Sequence, residues 1–138
     1  MVHALRQIHQ SLTPGGVLLD VHPEPVNSRI EVWQGDRVHE LGEIDQCEDH
    51  EEIEDARSRL DLLVDQGLFG PEASDYFELR EHHDSVGGWK ETWAREGYRL
   101  VAPPGMFESA EDLLSTGGGE LVIREQVRAA RLRRLETH

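Results

Sequence analysis

His22 and Glu24 are the residues of this 138-residue sequence whose types and position best suit chemistry. They stand just past the apolar run Val17-Leu18-Leu19-Asp20-Val21, and in open α/β sheets ligands gather beyond the carboxyl ends of the strands. A histidine there can exchange a proton near neutral pH, and a glutamate can act as a base or orient a substrate. Flanked by Pro23 and Pro25, the same two residues also suit an ordinary turn.

Other constellations carry less. Eight histidines invite a metal hypothesis, with Cys47 and His50 beside Asp45 and Glu51, or with His82-His83-Asp84. A structural zinc site takes four ligands, usually as two close pairs, and adjacent histidines diverge on a strand. No metal site is therefore expected. Cys47 has no basic neighbour to lower its pKa, and no Gly-x-Ser-x-Gly elbow is present, so a nucleophilic triad is not expected either. Trp89 and Trp93, four apart on one helix face, read as core packing rather than as a stacking platform, although with Trp33 they would make a ligand-stacking set.

Charge narrows the partners. The formal net charge is −14, which argues against nucleic acid and against anionic membrane surfaces, since both are bound through clustered Lys and Arg. Residues 40–55 hold nine acids and no Lys or Arg, and residues 124–134 hold five arginines and one acid. The first block reads as a solvated face and the second as its intramolecular counter-charge. No run approaches the roughly 20 apolar residues of a membrane span. The N-terminus lacks the charged and apolar regions of a secretory signal, and the single cysteine forbids an internal disulfide. A cytoplasmic location is the expectation.

The elements that must position His22 and Glu24 follow from the hydrophobic periods. Val2, Leu5, Ile8 and Leu12 predict a helix over 2–12, stopped by Pro14-Gly15-Gly16. The near-continuous apolarity of 17–21 predicts a strand covered on both faces, as in a parallel sheet. Residues 28–33 and 37–44 predict a hairpin about Gln34-Gly35-Asp36, and 50–66 a helix broken by Gly67, Gly70 and Pro71. A strand over 75–83, a helix over 86–96 capped by Gly97, a short strand over 98–101, a helix over 107–114 and a strand over 120–128 complete the chain. One domain spanning 1–138 accommodates them, and the form of the segment past 128 is left open between strand and helix.

In this order the residues resemble the C-terminal half of a class I, Rossmann-like S-adenosylmethionine-dependent methyltransferase. The stretch from Ala4 to Asp20, with Leu12-Thr13-Pro14-Gly15-Gly16 at its centre, resembles the helix that feeds the fifth strand. Trp89 to Val101, with Gly97-Tyr98, resembles the next helix and the sixth strand, and 120–128 looks like the antiparallel seventh. The resemblance covers residues 3–23 and 86–130, and residues 28–84, the hairpin and the acidic helix, would be an insertion on the substrate side.

The resemblance implies an α/β fold holding the fifth to seventh strands of that sheet. It places His22 and Glu24 beside the substrate cleft. It also implies a deficit. The family holds S-adenosylmethionine on a glycine-rich turn after the first strand and on an acid ending the second, and the sequence offers neither; Gly117-Gly118-Gly119 follows a helix and reads as a linker turn. The expectation is a methyltransferase-like chain that binds no cofactor and is inactive alone, whether from a split gene or a misplaced start codon. The apolar strand at 17–21 would then present an open edge, to be covered by a homodimer partner or by the missing N-terminal half. The alternative is a non-enzymatic dimeric interaction or regulatory module on the same scaffold.

Overall fold

The computed structural model describes residues 2–96 and 101–136. The expected strand at 98–101 and the Gly97 cap fall largely on residues 97–100, outside the described residues. Among the described residues the order is α1 (Val2–Ser11), β1 (Val17–Pro23), β2 (Arg29–Gln34), β3 (Arg37–Glu43), α2 (Cys47–Asp65), β4 (Phe69–His83), α3 (Val86–Glu96), α4 (Met106–Gly117) and β5 (Glu120–Arg134). The strands form a five-stranded sheet of order β1-β5-β2-β3, with β4 also on β5.

The fold is mixed α/β, but the sheet is not the one the resemblance implies. The pairs β1–β5, β2–β3 and β2–β5 are all antiparallel, an arrangement that does not match a parallel Rossmann-like sheet. Residues 17–21 do form a strand, yet it is not covered on both faces. Leu19 and Val21 are 68% and 59% exposed. Near-continuous apolarity predicts two-sided burial, whereas only Leu18 of this run packs on a core cluster. β4 begins at Phe69 and β5 runs on to Arg134, both longer than their apolar patterns predict.

The chain clusters into two compact units. Unit 1 holds residues 1–25, 48–77 and 126–138, and unit 2 holds residues 26–47 and 78–125. In unit 1, Leu60, Leu63, Phe69, Ala130 and Leu132 form the core, with Leu5, Leu12 and Leu18 packed against it. Burying a side chain such as Leu63 contributes roughly 1.5–3 kcal/mol. α2 ends in a Schellman motif: Gly67 adopts φ +74°, its N–H donates to the Val64 carbonyl at 2.9 Å, and the Leu68 N–H donates to the Leu63 carbonyl at 3.0 Å. This turn closes the helix and starts β4. His9 is buried, its Nε2 3.2 Å from the Leu135 carbonyl oxygen and its ring edge-on to Phe69.

In unit 2, β2 and β3 close through Gly35-Asp36, with Gly35 at φ +58° and no positive φ at Asp36, the pattern of a type II′ turn. One sheet face carries Ile30, Val32, Leu121 and Ile123 into a core shared with α3 and α4. Trp89 and Trp93 lie in that core with ring centroids 5.1 Å apart, as their helical spacing predicts. The Gln34 side-chain amide donates to the Leu113 and Gly118 carbonyls at 2.6 and 2.8 Å, tying the hairpin to the end of α4.

Candidate functional site

The polar residues of β1 alternate. Asp20 and His22 lie at every second position of the strand, and Glu24 continues the series one residue past its end. All three are partly buried, whereas Leu19, Val21 and Pro23 between them are exposed. Antiparallel pairing sets Asp20 opposite Ala130, His22 opposite Arg128 and Leu18 opposite Leu132 on β5. Ala130 and Leu132 pack with Leu60 and Leu63 of α2, so this is the sheet face that α2 covers.

His22 and Glu24 are thus brought onto one face of unit 1, as a row within a sheet and not as a turn. His22 Nδ1 lies 2.8 Å from Asp20 Oδ2, a charge contact without the alignment of a hydrogen bond. The Glu24 backbone N–H donates to the Gln126 carbonyl at 2.7 Å, and its carboxylate meets Arg57 of α2 at 3.5 Å. Asp20 Oδ2, His22 Nε2, Glu24 Oε1 and Arg128 Nε are each shielded from solvent with no hydrogen-bond partner among the described residues. Unsatisfied buried polar atoms cost roughly 1–3 kcal/mol each, so four along one row mark a place the fold does not complete by itself. A carboxylate orients an imidazole for proton transfer through a hydrogen bond at Nδ1, and the Asp20–His22 contact lacks that alignment.

Asp20, Arg57 and Arg128 were not singled out from the sequence. The alternation Asp20-Val21-His22-Pro23-Glu24 carries a local signal for the first. Arg57 and Arg128 reach the row only through helix packing and strand register, which no local pattern encodes.

In unit 2 a network of ion pairs joins Glu31, Arg124, Glu78 and Arg80, although Arg124 Nε has no partner among the described residues. Glu31, 2% exposed, accepts from Arg124 Nη1 at 3.4 and 3.3 Å and from Trp33 Nε1 at 3.1 Å. Arg124 Nη2 donates to Glu78 at 2.6 Å, and Arg80 donates to the other oxygen of Glu78 at 2.7 Å while lying over the Trp33 ring at 5.3 Å. Hydrogen bonds from Arg124, then from Arg80, lower the Glu78 pKa to about 2, and the Glu78 hydrogen bond raises that of Arg124. Burial, reinforced by Glu81, pushes the Glu125 carboxyl up.

Among the described residues no three His, Cys, Asp or Glu side chains stand together as a metal site, and no helix is long and apolar enough to cross a membrane. The Cys47 side chain lies outside the described residues. Comparisons with protein-family models, curated proteins and solved structures find no match.

Proposed function

We propose that this chain is a methyltransferase-like polypeptide without an S-adenosylmethionine site, inactive alone, and completed by an N-terminal half that docks along β1. The carrying observation is the state of β1. Among the described residues it pairs with β5 alone, and it turns Leu19 and Val21 to solvent. A strand with an open edge and an apolar face is the surface a missing layer would cover. The stretch from Ala4 to Asp20, whose helix and strand occupy the positions the resemblance implies, adds to the reading. So does the antiparallel course of β5 against β1, as for the family's seventh strand. The β2–β3 hairpin also runs antiparallel to β5, through β2. In the completed domain, His22 and Glu24 would face the substrate side.

The second reading, a non-enzymatic dimeric module, rests on the same exposed Leu19 and Val21. Calorimetry with S-adenosylmethionine and sedimentation of the purified chain separate the two. No heat of binding together with a monomeric chain fits the first. A dimer that the double variant Leu19→Asn, Val21→Asn dissolves favours the second. A micromolar dissociation constant for S-adenosylmethionine overturns both.

A further inference from the structure

Arg128 points to a ligand. The chain has 28 acidic residues against 14 Lys and Arg, so carboxylates outnumber basic groups two to one. Three other arginines of β5 find them: Arg131 and Arg133 both pair with Glu72, and Arg124 with Glu31 and Glu78, while Arg134 donates to the Leu12 carbonyl. The Arg128 side chain makes no hydrogen bond or ion pair among the described residues; its Nε is shielded from water, as are those of Arg124 and Arg134, while its Nη groups are not. A partly buried guanidinium without a carboxylate of its own, in a chain this acidic, keeps its Nη donors open to an anion.

The same residue lines a cavity of about 300 Å³ in unit 1. Leu60, Asp61 and Val64 of α2 form one wall, residues 71–74 of β4 another, and Arg128, Ala130 and Leu132 of β5 the floor. The size suits a small organic molecule. The lining is mixed: its apolar side chains stand beside Arg128, Arg131, Ser74, Asp61 and Glu72, and Arg131 is already held by Glu72. Of the two arginines only Arg128 lacks a carboxylate partner, and such a cation near Leu60, Val64, Ala130 and Leu132 fits a single negative charge on a partly apolar body. Asp61, exposed at the edge, opposes a doubly charged phosphate.

We propose that this cavity binds a small organic carboxylate, its charge on Arg128 and its hydrocarbon part against Leu60, Val64, Ala130 and Leu132. The guanidinium presents paired N–H donors that match the two carboxylate oxygens. The cavity shares Arg128 with the row of His22 and Glu24, but binding there requires neither methyl transfer nor a partner along β1.

Titration of the purified chain with hexanoate, hexanamide and inorganic phosphate, followed by calorimetry and by amide chemical shifts of residues 71–74 and 128–132, tests it. Hexanoate is expected to bind saturably, at least about tenfold more tightly than the isosteric amide. Arg128→Gln is expected to remove that preference, and Ala73→Phe, which fills the cavity from β4 and keeps the arginine, to abolish binding. Equal affinity for acid and amide, tighter binding of phosphate, or no saturation by hexanoate up to about 10 mM overturns the proposal. Because the acid–amide comparison is made on the unaltered chain, it decides the matter even if a variant fails to fold.

Discussion

Arg124 reaches both carboxylate oxygens of Glu31, although in the β2–β5 ladder its backbone stands opposite Arg29 and not opposite Glu31. The guanidinium leans two residues along the strand and neutralises a carboxylate that is 2% exposed. Removing Arg124 strands a buried charge, which typically costs about 3–5 kcal/mol, whereas removing both partners leaves nothing uncompensated. Arg124→Met is expected to destabilise unit 2 by about 3 kcal/mol, and the double variant Glu31→Leu, Arg124→Met by markedly less. Urea unfolding of the single and double variants, read as a double-mutant cycle, checks both figures.

Acid unfolding should carry the signature of Glu78. Its folded pKa is about 2 against an ordinary 4.5, so the group contributes stability above pH 4.5 and loses it as pH falls from about 4.5 towards 2. The urea midpoint should fall through that window. In Glu78→Gln the fall should be shallower, because the loss is then present at every pH. Parallel acid limbs for the two proteins would contradict the role given to Arg124 and Arg80.

On β1, Leu19 and Val21 contribute little to the chain's own stability, because both are mostly exposed. Leu19→Asn and Val21→Asn are each expected to change unfolding free energy by no more than about 0.5 kcal/mol. Leu18→Asn, on the face packed against the unit 1 core, should cost several times more. Thermal unfolding of the three variants tests the assignment of the two faces without reference to any partner.

Gly119 precedes β5 at φ +103°, and a Cβ there would fall within the van der Waals shell of the Trp33 carbonyl oxygen. Neither the backbone conformation nor the space admits a side chain. Gly119→Ala is expected to cost more than about 2 kcal/mol, and Gly35→Ala, in open space at φ +58°, about 1 kcal/mol. Chemical denaturation of both variants measures the difference, which isolates the steric part.

The local structure was legible where one period dominated. α1 and the hairpin follow from their apolar spacing, and α3 places Trp89 and Trp93 in the core by four-residue repetition. β4 was harder to read because Gly70 and Pro71 look like breakers, yet both lie in an edge region where missing or unpaired N–H groups are tolerated. The arginine-rich end of β5 is composed of good helix formers, and pairing with β1 through Arg133 overrides that preference. The antiparallel direction of β1 was not legible, since apolarity reports burial and not the sense of a neighbour. The two site residues named from the sequence do share a face. Arg57 and Arg128, contributed from far along the chain, complete the row only after folding.

Trp33 gives this protein a built-in reporter. Trp89 and Trp93 sit in the core of unit 2, while Trp33 is partly open, hydrogen-bonded to Glu31 and overlaid by Arg80. The red side of the intrinsic fluorescence therefore belongs mainly to one indole, whose emission senses the ionic network on its own sheet face. Acrylamide quenching or a shift in that band would reveal loosening of Glu31 and Arg124 before the hydrophobic interior gives way, with no label attached.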